Sequence, residues 1–450
     1  MSIKIFTTRP EGDNNVVFEI MMLSISRYCR GKSKTDIEWF YYSSLVQVKR
    51  LFPLLAILRA TTFLFFSFFC KHYWLHFKYK GVNVGRYAMS TSFRDVDSNT
   101  SNVKYYSSVF INALKGVTLI YRIEKCNQDF DAFFIEHGVY LNGIFIEYAS
   151  QKNKLIFTYG YPYGMICKST SKKISYEDLF RLPFNNSFIK NTYFDEGDLI
   201  NDIPYLSKIS ETDNKIDCKD VDMVIYSHSF TDAQIIFGPR DAYINMYDWL
   251  NDVCKILSKS SIKVLIKGHP NFYREESSEI VKMDRELFKT FVKKYKNNSN
   301  LHFMNKAVSN EHLLNSIGKN TVLVSHHGNA LIEGSVKGFK CISSSNSIWK
   351  DFFHFNEFYT KKGMREMLFT HHSDLAPPPQ KSEIFNYLHV LKRTRFSYYS
   401  NEAWVSIIAN NINTSVRKFI QTPELLKSQD SKTINKIIKE ISVSIYHIDS

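Results

Sequence analysis

Apolar positions along the chain come in two spacings that divide its middle into alternating elements. DAFFIEHG (131–138) opens on a short continuous apolar run, as a buried parallel strand does. VYLNGIFIEYASQKN (139–153) carries helical spacing, and KLIFTYG (154–160) is a second buried strand, so the three form a βαβ unit and imply a parallel sheet. Residues 168–218 are polar and irregular and read as an interdomain linker. The alternation then restarts. Strands are expected in VDMVIYSHSF (221–230), SIKVLIKGHP (261–270), NLHFMN (300–305), TVLVSHHGN (321–329) and KCISS (340–344). Helices fall between them, over 243–259, 286–297, 311–319 and 330–338. This is the signature of a doubly wound α/β sheet.

The ends are less regular. KIFTT (4–8) suits a strand, 14–30 an amphipathic helix, 77–95 a strand–turn–strand, and 107–126 a helix. Beyond APPPQ (376–380) the pattern is mainly helical. LFPLLAILRATTFLFFSFFC (51–70) approaches the length of a membrane span, but Arg59 lies in its middle, Pro53 near its start, and basic residues at both ends. With KHYWLHFKYK (71–80) behind it, the segment reads as a helix lying on the cytoplasmic face of the inner membrane; a buried helix and a true span are the alternatives.

Charge and cysteine content narrow the picture. There are 58 basic and 44 acidic residues, a surplus of 14, spread widely with no tight Lys/Arg run interleaved with spaced aromatics and no RNA-binding signature, so nucleic acid is not an expected partner. The surplus suits phosphorylated substrates or an anionic membrane. Seven cysteines show no paired spacing, and the first residues lack a signal-peptide layout, so a cytoplasmic, reduced protein is expected, peripherally attached to the inner membrane. Neither HExxH, CxxC nor a strand-end DxD occurs, and no metal site is expected.

The residues just past each strand are the informative ones, because ligands of open parallel sheets sit at the strands' carboxyl ends. Glu136 and His137 stand at the exit of the first-half strand, His228 and Asp232 at the exit of the strand within 221–230, Lys267 and His269 at that within 261–270, and Ser325, Gly328 and Asn329 at that within 321–329. Polar, proton-carrying groups recur at one edge in both halves. At SHHGNALIEGSVKG, Gly328 permits a close turn into a helix whose free N–H groups suit a nucleotide phosphate. There Ser325 and Asn329 would be donors, and Glu333, a turn further on, would grip a ribose or sugar hydroxyl pair. His269, held by Pro270, could neutralise a leaving phosphate with Lys267. Asp232 could be a helix N-cap or a base facing the cleft, and Glu136 or His137 could deprotonate a sugar hydroxyl.

Blocks 79–94, 131–149, 224–250, 264–271 (KVLIKGHPN) and 324–342 (VSHHGNALIEGSVKGFKCI) together resemble bacterial capsule and surface-carbohydrate biosynthesis proteins. Those proteins are similar to transferases of CMP-activated acidic sugars such as Kdo and sialic acid. The resemblance implies an α/β GT-B-like fold, two Rossmann-like domains facing across a cleft, with the donor held by the C-terminal one. Carried over, His269 and Ser325 would contact the donor phosphate, Glu333 would match the acidic residue of the closing helix, and Asp232 and Glu136 would be catalytic. The implied division is an N-terminal membrane-surface segment (1–78), an acceptor domain (79–200), a donor domain (215–385) and C-terminal helices (386–450). The implied activity is metal-independent, cofactor-free transfer of a sugar from a nucleotide sugar, CMP-linked by preference and UDP- or GDP-linked otherwise, to a glycan or lipid-linked glycan. A nucleotide-sugar epimerase, a polyol-phosphate transferase and a non-catalytic assembly protein are the alternatives.

Overall fold

In a computed structural model the described residues, apart from short gaps, are 2–8, 36–42, 53–96, 102–169, 218–232, 243–387 and 446–449. The strands among them assemble into two six-stranded sheets.

The second sheet follows the alternation closely. It contains β6 (Met223–Tyr226), β7 (Val264–Lys267), β8 (Leu301–Phe303), β9 (Val322–Ser325), β10 (Cys341–Ser344) and β11 (Asn356–Phe358). All pairings are parallel, in the order β11-β10-β9-β6-β7-β8. Every residue of β6 and β9 is buried, because both faces are covered. Met223, Ile225, Val264, Ile266, Val322 and Val324 enter one apolar cluster with Trp249 of α5 (Met246–Leu257) and Phe288 of α6 (Glu279–Tyr295). Val224, Tyr226, Leu265 and Leu323 enter the other, which continues without a break into the first domain. From β6 the chain moves outward through β7 and β8, then returns to place β9 on the other side of β6. The order therefore reverses between β6 and β9, the position where open parallel sheets bind ligands at their carboxyl edge.

The first sheet has the order β12-β5-β4-β3-β1-β2, built from β1 (Ile3–Thr7), β2 (Ile37–Tyr41), β3 (Ala132–Glu136), β4 (Leu155–Gly160), β5 (Gly164–Ser169) and β12 (Tyr446–Asp449). Only β4 and β5 pair antiparallel. Two strands thus come from 1–78, which the sequence reads as a separate segment, and the stretch 446–449, expected to be helical, is a strand beside β5. Phe6 of β1 is buried with its ring against Phe130, Phe133 and Phe145, which seats β1 inside the sheet between β3 and the edge strand β2. α4 (Gly143–Gln151) covers this face with Ile144, Phe145 and Ala149.

Among the described residues, three complete helices precede β3. α1 (Leu54–Ser67) starts after Pro53, whose fixed φ suits a helix entry. α2 (Val84–Asp95) replaces the second half of the expected strand–turn–strand over 77–95: Tyr79 and Val82 pair around a turn with Lys80 and Gly81 at positive φ, but Asn83 then caps a helix by accepting from the Arg86 N–H. α3 (Asn102–Lys125) is the helix read over 107–126, begun five residues earlier. Among the described residues no helix is long and apolar enough to cross a membrane. Most of the expected helix over 14–30, the linker over 168–218 and the tail over 388–445 lie outside the described residues.

The domains meet at their carboxyl edges. The Tyr140 hydroxyl, just after β3, hydrogen-bonds Asp232 Oδ1, just after β6. Beside this contact lies an open cavity of about 530 Å³ lined by Thr91, Arg94, Asp95, Tyr140, Leu141 and Asn142 of the first domain and Ile280 of the second. Two Rossmann-like domains facing across a cleft make the α/β, GT-B-like architecture expected from the sequence.

Candidate functional site

Parallel pairing sets Tyr226 beside both Lys267 and Ser325, so the last residues of β6, β7 and β9 form one row. The side chains beyond that row converge. The rings of His228 and His269 lie 5.3 Å apart, and those of His228 and His327 4.8 Å apart. Gly268 makes this possible. Its N–H donates to the Tyr273 hydroxyl at 3.0 Å, and a Cβ there would stand 2.7 Å from that hydroxyl and 2.8 Å from the Phe272 ring. With no side chain there, the chain can turn at the strand's end and bring His269 beside His228.

The imidazoles are electrostatically poised. Burial, and the proximity of His228 and His326, hold His327 well below the usual histidine range, and burial likewise lowers His228 against the pull of Asp232. His228 and His327 are therefore neutral near pH 7, each with one N–H to offer. His269 accepts the Asn271 backbone N–H at Nδ1, 3.3 Å, which puts its proton on Nε2. His228 Nδ1 is buried with no hydrogen-bond partner among the described residues. Adjacent His326 points elsewhere, 1% exposed, edge-on to Trp249 and Phe358, although its Nδ1 lies 3.2 Å from His327 Nδ1.

Lys267 and Glu333 form a second polar layer. Burial lowers the Lys267 ammonium to about 8 and raises the Glu333 carboxyl to about 7, each effect tempered by the other's charge. Asn310, at the start of α7 (Asn310–Ser316), bridges them, accepting from Lys267 Nζ at 3.5 Å and donating to Glu333 Oε2 at 2.5 Å. Glu333, in α8 (Asn329–Val336), is thus held by Asn310, where the sequence suggested a carboxylate reaching for sugar hydroxyls. Ser325 also differs from its expected role. It is buried, and its hydroxyl donates to the carbonyls of Tyr226 and His327 at 3.1 and 3.2 Å, so it fixes the β9 exit loop and offers no proton to a phosphate. Gly328 is the N-cap of α8 in extended backbone, and no side chain caps the helix. Its first N–H groups, from Asn329 onward, point at the same edge.

The loop after β6 is pinned from outside the expected set. Asp284 of α6 is fully buried and accepts from Ser229 Oγ at 2.6 Å, the Phe230 N–H at 2.9 Å and Thr231 Oγ1 at 3.0 Å. Burial raises its carboxyl to about 6, and the three donors hold it from rising further. Ser229 Oγ in turn accepts the N–H of Asp232, 3.1 Å, so the carboxylate facing the cleft is fixed at two removes by a buried one. Asp232 does not cap α5; Asn245 does, accepting the Asp248 N–H at 2.7 Å. On the first domain Arg94 lies 4.3 Å over the Tyr140 ring, beside the cavity.

Of the expected residues, then, His228, Lys267, His269, Gly328, Asn329 and Glu333 gather at one edge, with Asp232 at its rim. Glu136 ends β3, paired with Tyr159 of β4, on the opposing edge. His137 lies outside the described residues. Sequence reasoning missed Tyr140, Asp284, Asn310 and the inward His327. Asp284 had a signal: it falls on the apolar stripe of α6 with Val281, Leu287, Phe288 and Phe291, where a carboxylate must have buried partners. Among the described residues no group of three or more His, Cys, Asp or Glu is placed to hold a metal ion. The edge offers neutral imidazole N–H groups, an ammonium and an uncapped helix N-terminus, a donor set for a phosphate-type anion.

No protein-family model matches the chain, and no curated protein matches it. Among solved structures, a glycosyltransferase from Rickettsia africae aligns at 12% identity and TM-score 0.26, over 95% of this chain and 100% of that one. Anabaena HepE, in complex with UDP and glucose, aligns at 7% and 0.28 over 91% and 99%. The UDP-GlcNAc 2-epimerase of Methanocaldococcus jannaschii aligns at 12% and 0.26 over 87% and 99%. Likenesses at these scores carry no functional argument, and the α/β two-sheet architecture rests on the chain's own strand pairing.

Proposed function

We propose that the chain is a glycosyltransferase that seats a nucleotide sugar on the second domain and passes the sugar to a glycan or lipid-linked glycan held by the first. The observation that carries this reading is the convergence of His228, His269 and His327 at the point where the second sheet's order reverses, with Asp232 reaching across to Tyr140. A transferase needs a stabilised leaving phosphate and an acceptor base on opposite sides of a closing cleft.

The donor's phosphate would lie against His269 Nε2, His228, the Lys267 ammonium and the N-terminus of α8. These groups are preorganised, so they stabilise charge as it develops with little reorganisation. In a direct displacement, the bond from the anomeric carbon to the phosphate oxygen breaks as the acceptor oxygen bonds to that carbon. Asp232 takes the acceptor hydroxyl's proton, and the electron pair leaves with the phosphate, where the imidazole N–H groups meet it. A CMP-linked donor is favoured by the sequence resemblance; UDP- and GDP-linked sugars fit the same anion-binding set.

A thermal-shift panel of CMP, UDP, GDP and their sugar conjugates tests this directly. One nucleotide should stabilise the wild type by about 2–3 kcal/mol near a hundredfold excess over its Kd, and His269→Ala should lose most of that shift. Product analysis separates the reactions: a transferase releases free nucleotide in the presence of acceptor, whereas an epimerase leaves nucleotide and an isomerised sugar joined. No stabilisation by any nucleotide would end the proposal.

A further inference from the structure

α1 is inside out for a helix on a water-facing surface. Its buried positions are small or single, Ala56, Ala60, Phe63 and Ser67, while Leu54, Leu55, Leu58, Phe65 and Phe66, with Phe68 and Phe69 just beyond, stand in solvent. Leu55 is 82% and Phe69 78% exposed. A contiguous apolar face of this size is a liability in water unless something covers it. The helix is held from beneath: Phe63 packs on Tyr73, Trp74 and Phe77, and Phe68 meets Tyr106 of α3, so the face is rigidly presented. Thr61 and Thr62 bond back to the carbonyls of Ile57 and Leu58, which removes two exposed hydroxyl donors from the face.

The charge around it names the occupant. From Trp39 to Arg94 the chain carries eight basic residues and not one Asp or Glu. Lys80 pairs with Glu124 and Arg94 covers Tyr140, but Arg59 and Lys78 are exposed, Arg59 in the stripe with Leu55, Thr62, Phe66 and Phe69. An arginine so placed can lay its stem on an apolar layer and lift its guanidinium to a headgroup. A second copy of the chain would bring the same positive surface against itself, which disfavours self-association through this face. Fourteen helical residues span about 21 Å, short of a bilayer's hydrocarbon core of about 30 Å, so the helix lies on a membrane and does not cross it.

We infer that α1 is a membrane-surface anchor, its Leu and Phe side chains seated among acyl chains and Arg59 and Lys78 at anionic phospholipid headgroups. The anchor also bears on the cleft. α1 packs on Tyr73 and Trp74, Trp74 closes against α2 at Gly85, and the far end of α2 lines the interdomain cavity through Thr91, Arg94 and Asp95. This inference stands whether or not the transferase reading does.

Vesicle flotation of the full chain tests it, with phosphatidylglycerol–phosphatidylcholine vesicles against phosphatidylcholine alone. The wild type should float with the anionic vesicles and far less with neutral ones, and added salt should release it. Arg59→Gln with Lys78→Gln should weaken binding about twenty-five-fold, at about fivefold per basic residue near an anionic surface. Leu55→Glu with Phe69→Glu should abolish flotation with an unchanged circular-dichroism melting curve, since both side chains are in solvent. The inference is overturned if the wild type ignores anionic vesicles, if the Glu pair floats as well as the wild type, or if neutral and anionic vesicles bind equally. It is also overturned if the wild type is a dimer that the Glu pair turns into a monomer, because a second copy would then cover the face.

Discussion

At the carboxyl edge of the second sheet three imidazoles lie ring to ring, and a buried carboxylate pins the loop that carries Asp232. At the facing edge of the first sheet, Arg94 lies over Tyr140 beside an open cavity. The first arrangement is preorganised, with imidazoles packed ring to ring and the loop beside them hydrogen-bonded to a buried carboxylate. The second has room, and one aromatic hydroxyl reaches across. A site that must stabilise charge on a leaving phosphate gains from groups that cannot relax away from it. A site that receives a bulky acceptor needs access first. The contrast fits the proposed reading, with the donor on the second domain and the acceptor on the first, and it can be broken residue by residue.

The largest effect should come from Asp284. In Asp284→Ala the Ser229 hydroxyl, the Phe230 N–H and the Thr231 hydroxyl lose their common acceptor inside the protein. Buried donors left unpaired each cost about 1–3 kcal/mol, so a loss of roughly 3–5 kcal/mol of stability is expected. Hydrogen exchange should show the loop 227–232 and α6 losing protection while α2 and α3 keep theirs. Asp284→Asn keeps an acceptor oxygen, and should cost less than half as much. Uniform loss of protection in both domains would mean that the rigidity attributed to the second edge belongs to the whole molecule.

A smaller effect, of about tenfold, should appear in the pH dependence of nucleotide binding. Lys267 titrates at about 8, below its unfolded value of 10.5, because burial disfavours its charge. Its contribution to stability is therefore present at high pH and lost as the pH falls through about 8, and near neutrality it carries a charge that a bound phosphate relieves. Glu333, raised to about 7 by burial, gains negative charge as the pH rises through that value. Both changes work against an anionic ligand in the same direction. Nucleotide affinity measured by calorimetry should fall about tenfold from about pH 7 to about pH 9, and in Lys267→Met the fall above about pH 8 should vanish. A flat wild-type profile would remove Lys267 from the donor set.

The same contrast marks how far the sequence could be read. Continuous apolar runs at 223–226, 264–267 and 322–325 have no stable setting except a sheet covered on both faces, so the second domain and its strand-end residues were legible directly. The first domain was harder. β1 and β2 are separated from β3 by α1, α2 and α3, and tertiary packing of Phe6 against Phe133 and Phe145 places β1 inside the sheet beside β3. In 77–95 the turn was recognised, but β-rich composition gave way to the Asn83 cap and the burial of Tyr87, Ala88 and Met89. At the site, residue type and spacing pointed to His269 and Lys267. What a hydroxyl or carboxylate bonds to is a property of the fold, so Ser325 and Glu333 were assigned to a ligand when neighbouring side chains or carbonyls hold them. Tyr140 was invisible for the same reason, since its partner is 92 residues away.

Tyr140 supplies the finest test. Its hydroxyl ties the open edge to the preorganised one, and its partner Asp232 is solvent-exposed, so the bond is modest, about 1 kcal/mol. Tyr140→Phe keeps the ring under Arg94 and removes the hydroxyl that makes this link. If the first domain's part is to position an acceptor against Asp232, transfer should slow about fivefold at subsaturating acceptor, while calorimetric affinity for the nucleotide alone stays unchanged. A drop in nucleotide affinity would show that Tyr140 helps to hold the donor, and the division of labour between the two edges would have to be redrawn. An unchanged rate together with an unchanged affinity would mean that Asp232 is positioned entirely from behind, through Ser229 and Asp284, and that the cleft needs no hand from the acceptor side to set its base.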